Sequence, residues 1–418
     1  MKRVWLICVL VSLFTGCNTS VDDPEVVPSP DSVKIGMILP TTGALASFGL
    51  TSKNSAQLAI KEINDTGGVN GKMLELLIKD SRLDGPTGAA AAKQLSEQGV
   101  VAIIGAAASS VTLYTAENQT IADGMPLISP SATSPEISDL DDNNTVWRTI
   151  ASDEFQGFIL ANLLVADNIF SVSVIFRDDS YGNGLFSAFK PRYEQLGGSI
   201  LSQVSYPDTK EIGFENEVNA LLANGVPPAI VTMTFFTDGA NFTRDLASAG
   251  HTDIPLYGVD GNFGEFLLSN GAPQVIEGMK GTAPVPPQAT QNYQAFASRF
   301  SDTWGFAPGP FGESSYDAVY LIALAMQQAG VETRAAIISE ISSVSNPNGS
   351  ASTIINPNEF ATAKSVILAG GDIDYNGASG VIDFNERGDV TSGTYIIWQI
   401  VDNNGLFEYD EVEVISFP

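Results

Sequence analysis

From Val33 onward the chain repeats one pattern: a short apolar run, a turn of small polar residues, then a stretch with apolar residues at helical spacing. Val33 to Leu39 reads as a strand and Pro40-Thr41-Thr42-Gly43 as a loop. A helix follows from about Ser52, with Ala56, Ala59, Ile60 and Ile63 on one face and Gly67-Gly68 at its end. Leu74 to Ile78 is the next strand, Thr87 to Gln98 a helix, Val100 to Ile104 a strand and Val111 to Ala122 a helix, before Pro126-Leu127-Ile128. Strands apolar on both faces and separated by helices predict a parallel sheet covered on both sides. One such lobe ends near Ile150.

The pattern then restarts. Helices are predicted at Phe155 to Ala166, Gly184 to Leu196, Phe214 to Ala223 and near Gly239 to Ala249. Strands are predicted at Val172 to Phe176, Ile200 to Val204, Ala229 to Thr232 and Ile254 to Tyr257. Beyond Gly278 come a strand-like Gly281-Thr282-Ala283-Pro284 and helical stretches at Thr290 to Thr303, Tyr316 to Ala329 and Arg334 to Ile341. Val381 to Phe384 and Thr394 to Val401 are expected to pair as strands around Asn385-Glu386-Arg387-Gly388-Asp389. At 418 residues the chain exceeds a single ordinary core, so two α/β lobes are expected, the chain returning to the first and then to the second.

The beginning of the chain breaks this pattern. Lys2 and Arg3 precede an apolar stretch, Val4 to Phe14, too short to span a bilayer comfortably and suited to an export signal. Phe14-Thr15-Gly16-Cys17 resembles the bacterial lipobox, with Phe14 where leucine is usual, so Cys17 is the expected acylation site. Asn18 to Asp31, with Pro24, Pro28 and Pro30, reads as an extended tether. The domain division is then 1–17 lipoprotein signal peptide with acylated Cys17, 18–31 tether, 32–150 plus about 284–376 N-terminal lobe, and 151–283 plus about 377–418 C-terminal lobe.

Composition narrows the function. A net charge of -28 argues against nucleic acid and against electrostatic docking on anionic lipid, leaving the lipid anchor as the membrane contact. The two cysteines, Cys8 and Cys17, lie in the first segment, so the mature body offers neither a disulfide nor a cysteine metal site. The lone histidine, His251, has no partner pattern for catalysis or metal binding. No cofactor and no metal are expected.

In open α/β sheets a ligand sits beyond the carboxyl ends of the strands. Two first-lobe junctions carry hydroxyls there: Gly105-Ala106-Ala107-Ala108-Ser109-Ser110 and Ser129-Pro130-Ser131-Ala132-Thr133-Ser134-Pro135-Glu136. Helix capping and anion binding both fit these residues. In the second lobe Phe176 to Gly184 and Tyr257 to Asn262 end strands. Asp260 facing the first-lobe hydroxyls would let the halves grip the two ends of a zwitterion, each charged hydrogen bond contributing about 1.5–3 kcal/mol. Arg82 and Arg177 follow strand ends and read as solvated rim residues, although entry of either into the pocket would admit an acidic ligand. An enzyme would need a base beside its nucleophile, and neither a histidine nor a G-x-S-x-G elbow accompanies these serines.

The body, about Val33 to Val401, resembles the type I periplasmic binding proteins of the leucine/isoleucine/valine-binding group. The resemblance is carried by Ile35-Gly36 with Thr42-Gly43 and Phe48-Gly49, by Ala59-Ile60-Lys61-Glu62-Ile63-Asn64 with Gly67-Gly68, and by Ser131 to Glu136. Trp147-Arg148-Thr149 with Asp153 and Gln156-Gly157 continues it, as do Asp179 to Gly184, Ser315-Tyr316-Asp317-Ala318 and Phe384 to Asp389. It implies two doubly wound parallel-sheet lobes joined by three crossover strands, a cleft that closes on ligand, delivery to an ABC permease, and no catalysis.

By position the resemblance assigns Ser109, Ser131 and Thr133 to the ligand carboxylate and amino group and Asp260 to the ammonium. Phe48, Tyr181, Phe236 and Phe311 fall on the side-chain pocket, and Gly261 allows close backbone approach. The chain departs from that group with Phe48 and Phe236 where tyrosine is frequent, with aspartate for glutamate at 260, and without the first-lobe disulfide. The expected function is an extracytoplasmic substrate-binding lipoprotein of an ABC importer for an amino acid or related small solute. A ligand-sensing or partner-binding lipoprotein of the same fold is the alternative.

Overall fold

Five apolar runs form one parallel sheet: β1 (Val33–Leu39), β2 (Leu74–Asp80), β3 (Ile103–Ile104), β4 (Leu127–Ser129) and β5 (Val146–Arg148), in the order β2-β1-β3-β4-β5. The computed structural model describes residues 31–43, 45–346 and 352–417, so Cys8, Cys17, the export signal and nearly all of the tether lie outside the described residues. Strand β1 places Met37 between Ile78 and Ile104, each buried or half-buried. Helix Ala46–Asp65 begins earlier than its apolar face suggests. Helix Gly85–Glu97 starts where Asp84 accepts from the Thr87 N–H at 2.8 Å and Pro86 fits the first turn. The helix expected from Val111 to Ala122 is shorter, Ser109–Thr115, and widens into a π-helical turn over Ala116–Thr120.

The second sheet is larger and mixed. β6 (Ser171–Asp178), β7 (Ser199–Pro207), β8 (Ile230–Met233), β9 (Leu256–Gly258) and β10 (Lys280–Val285) run parallel in the order β10-β9-β8-β6-β7. β11 (Thr353–Ile355) and β12 (Ile373–Tyr375) make a separate parallel pair. β13 (Gly393–Asn403) then lies antiparallel to β10, and β14 (Leu406–Phe417) folds back on it through Asn404-Gly405, where both residues adopt positive φ. Thr394 to Val401 is therefore a strand, as its alternation predicts, but its partners are β10 and β14. Val381 to Phe384 forms only isolated bridges, to Asn376 and Val390. Alternation located β13, and the partner was decided by the exposed, acidic β14, whose burial pattern gives a weak sequence signal.

The chain passes between the lobes three times: after β5 into helix Asp153–Ala166, after β10 into helices Gln291–Trp304 and Gly312–Ala329, and between β12 and β13. Helix Asp153–Ala166 packs on β10, and helix Gly312–Ala329 packs on helix Ala46–Asp65. These are the three crossovers the resemblance implies, and β10 and β13 stay paired up to Val285 and Thr394, where the second and third passages begin and end. A single parallel bridge joins Arg148 to Asp389 there. The result is two α/β lobes, each with a largely parallel sheet and helices on both faces.

Candidate functional site

The hydroxyls of the first lobe are spent in a specific way. Ser109 Oγ accepts from the Ser134 N–H at 3.1 Å, Ser131 Oγ donates to the Ala107 carbonyl at 2.9 Å, and Ser129 Oγ donates to the Ala106 carbonyl at 2.7 Å. These bonds stitch the loops after β3 and β4 into one surface. Ser109 is the first residue of its helix and does not cap it, whereas Ser134 caps the turn Pro135–Asp139 by accepting from the Glu136 N–H. Capping thus accounts for Ser134 but not for Ser109, whose hydroxyl hydrogen is left for another acceptor.

In the second lobe Asp179 accepts from the Gly182 N–H at 2.9 Å and so starts helix Ser180–Gln195, which fixes Tyr181 in the first turn. The Tyr181 hydroxyl donates to Asp260 Oδ1 at 2.6 Å and accepts from the Gly261 N–H at 3.1 Å. A Cβ on Gly261 would lie 2.4 Å from the Thr234 carbonyl oxygen and 2.8 Å from the Tyr181 hydroxyl, so glycine is required for this packing. Burial pushes the Tyr181 hydroxyl, with Asp260 beside it, well above the usual tyrosine range, and it keeps its proton.

A second buried carboxyl lies behind the cleft lining, close to Asp260. Asp153, fully buried at the start of helix Asp153–Ala166, receives the Thr133 hydroxyl at 2.8 Å on Oδ2, while its Oδ1 has no partner. Burial, with Asp260 nearby, raises Asp153 well above the usual carboxylate range, and burial likewise raises Asp260. Two buried carboxyls without a cation between them are a place for a positive group. Thr133 holds its hydrogen toward Asp153 and so orients that carboxyl. The role of Asp153 escapes sequence reasoning because Ser152-Asp153-Glu154 reads as an ordinary helix start.

These groups face one cleft of about 430 Å³ between the lobes. Ser109, Ser131, Phe48 and Phe311 line it from the first lobe; Tyr181, Phe236, Asp260 and Gly261 line it from the second. Thr133 stands behind the lining, in contact with Asp153. Leu45 and Phe235 add to the apolar wall and were not predicted; Phe235 and Phe236 follow the end of β8, and both line the cleft. Phe48 meets Phe311 edge-on at 5.7 Å, and Tyr181 stacks on Phe235 at 5.1 Å. Phe311 holds φ at 61°, a conformation that costs a bulky residue energy and marks a constrained position.

Arg177 is neither a solvated rim residue nor a ligand group. It is buried, paired to Asp179 at 2.9 Å and Asp238 at 2.6 Å, and lies over the outer face of Phe235 at 4.2 Å. Arg82 is exposed. The lobes touch at Gly184, where a Cβ would lie 2.7 Å from Ser134 Oγ and 3.0 Å from Pro135 Cδ.

Known proteins are similar to this chain in sequence and in fold. The chain is 27% identical over 381 residues to the chemotactic signal transduction system substrate-binding protein BasB of Halobacterium salinarum, covering 88% of this chain and 87% of that one. It is 30% identical over 304 residues to a Leu/Ile/Val-binding protein homolog of Brucella suis, covering 71% and 79%. Its fold matches the leucine binding protein LivK of Thermotoga maritima with a TM-score of 0.76, 24% identity and coverage of 92% and 98%. It also matches the branched-chain amino acid transporter substrate binding protein LivJ of Streptococcus pneumoniae with a TM-score of 0.74, 22% identity and coverage of 92% and 99%. Residues 32–368 match the family model described as periplasmic binding protein, and the chain belongs to that family of solute-binding proteins, in its type I, leucine/isoleucine/valine-binding branch.

Proposed function

We propose that the protein captures an α-amino acid with an apolar side chain in the interlobe cleft. The observation that carries this reading is that Asp260, held by Tyr181, stands across one cleft walled by phenylalanines from Ser109 and Ser131. The ligand ammonium lies between Asp260 and Asp153, its carboxylate against the Ser109 loop, and its side chain among Phe48, Phe236 and Phe311, with Ser131 beside the backbone of the ligand and Gly261 admitting close approach. Charged hydrogen bonds orient the zwitterion and apolar burial selects the side chain. Bridging both lobes favours the closed arrangement.

The captured solute is delivered to an ABC permease, and the protein works outside the cytoplasm, anchored through acylated Cys17. The family and the amino-acid-binding relatives support delivery and location; the Phe14-Thr15-Gly16-Cys17 run supports the anchor. Cys17→Ser should release the protein from the membrane fraction, and retention of that variant would remove the anchor. A second reading, a sensor that presents its closed form to a signalling partner, is favoured by the likeness to a chemotactic substrate-binding protein along 88% of this chain.

Thermal-shift screening of residues 32–418 against free amino acids, small amides, aromatic acids and dicarboxylates tests the central claim. A rise confined to α-amino acids is expected, because a ligand of the folded state adds RT ln(1 + [L]/Kd) to stability. A rise with aromatic acids lacking an ammonium, and none with amino acids, would overturn it.

A further inference from the structure

A second cavity of about 370 Å³ lies where all three interlobe passages run side by side. Thr149 to Ala151 of the first, Pro284 to Pro286 of the second, and Ser379, Ser392 and Thr394 of the third line it. Glu313, on the first turn of helix Gly312–Ala329, projects into it and is only 4% exposed. Asp317, one turn further along the same helix, accepts four hydrogen bonds, from the Tyr375 hydroxyl, the Ala378 and Ser379 N–H groups and the Ser379 hydroxyl, and so clamps the start of the third passage. Among the described residues neither a salt bridge nor a hydrogen bond from another side chain reaches Glu313. The lining residues include no Lys, Arg or His.

The titratable groups around it are all acidic or phenolic. Asp317 lies on its own helix and Tyr293 faces it from helix Gln291–Trp304. On the third passage Asp383 is a further carboxyl, and Asp389 is neutralised by Arg148, which ends β5 just before the first passage. A carboxyl in such a place is stable only while protonated. Changing the angle between the lobes must bend the three passages that wall the cavity, so opening is the motion that brings water to Glu313.

We propose that Glu313 is a proton switch at the hinge: closing the lobes takes up a proton on its carboxylate, and opening releases it. Burial, with Asp317 adding to it, raises this carboxyl to about 8 in the closed form. Once solvated it returns toward the ordinary glutamate range of about 4.3. The protonated form therefore favours closure fully below the open-state value, and this advantage is lost as the pH rises through the closed-state value. The proposal rests on lobe closure and not on the identity of the ligand.

The test compares the full chain with Glu313→Gln, which keeps the volume and the neutral form, and with Glu313→Asp, which keeps a titratable group. Without ligand, small-angle scattering from about pH 6 to about pH 9 should show the wild type and Glu313→Asp expanding while Glu313→Gln holds its radius. With L-leucine as the probe, the wild-type Kd should rise relative to that of Glu313→Gln by up to about tenfold per pH unit between about pH 6 and about pH 8, and level off above. Calorimetry in two buffers should also show a proton taken up by the wild type in excess of Glu313→Gln. Equal radii at every pH, or a Kd ratio independent of pH, would overturn the switch. Failure of any amino acid to bind would overturn the ligand assignment instead and leaves the scattering result to decide the switch.

Discussion

Tyr181 and Asp260 share a 2.6 Å hydrogen bond whose donor is itself fixed by the Gly261 N–H at 3.1 Å. The strand end after β9 thereby acquires an oriented carboxyl before any ligand arrives. The Asp260 carboxyl is oriented by tyrosine, with Gln156 and the Gly261 N–H also favouring its ionised form against the cost of burial.

Replacing Asp260 by Ala should weaken binding of an α-amino acid at least about tenfold in titration calorimetry, the size expected for one charged hydrogen bond, while the ligand-free melting temperature changes little. Tyr181→Phe should weaken it less, because the carboxyl survives but loses its orientation. Unchanged affinity in both variants would take the pair out of the site.

Asp153 and Asp260 predict the sign of a pH effect. Both carboxyls are raised in the empty site, and an ammonium between them stabilises their ionised forms, so binding expels protons. Affinity should fall as the pH drops through the raised range of the pair. Asp153→Asn should flatten that fall as well as weaken binding, whereas a merely structural Asp153 would leave the profile's shape intact. The direction is opposite to that expected from Glu313, so the two effects separate in the single variants.

Gly184 lies where the lobes meet, and a methyl group there would press on Ser134 Oγ and Pro135 Cδ. Gly184→Ala should therefore impede closure: small-angle scattering should show less compaction on adding ligand, and Kd should rise, with the ligand-free melting temperature close to that of the wild type. Full compaction in this variant would show that the contact yields easily.

Arg148 is 0% exposed, pairs with Asp389 at 2.6 Å, and donates to the Ser134 carbonyl at 2.8 Å and to Ser138 Oγ at 2.6 Å. It joins the third passage to the loop that carries Ser131 and Thr133. Arg148→Met leaves Asp389 buried without its cation and should cost about 3–5 kcal/mol in denaturant unfolding; Arg148→Met with Asp389→Leu should recover part of that loss.

The sequence by itself determined the two α/β lobes, because alternation between short apolar runs and amphipathic helices leaves a covered parallel sheet as the way to bury both faces. It also placed Ser109, Ser131, Tyr181 and Asp260 just after strand ends, since loops after parallel strands necessarily collect on one side of a sheet, whereas Phe48, Phe236 and Phe311 were assigned only by the family resemblance. Only the tertiary structure decided which atoms are free to act. Ser134 caps its turn while Ser109 keeps a donor, Arg177 is consumed by Asp179 and Asp238, and Asp153 is buried at a helix start with the Thr133 hydroxyl on one oxygen. The pairing of β13 with β14 and the lone Glu313 among the passages were equally hidden. Such outcomes depend on contacts between residues far apart in the chain, and local periodicity carries no information about them.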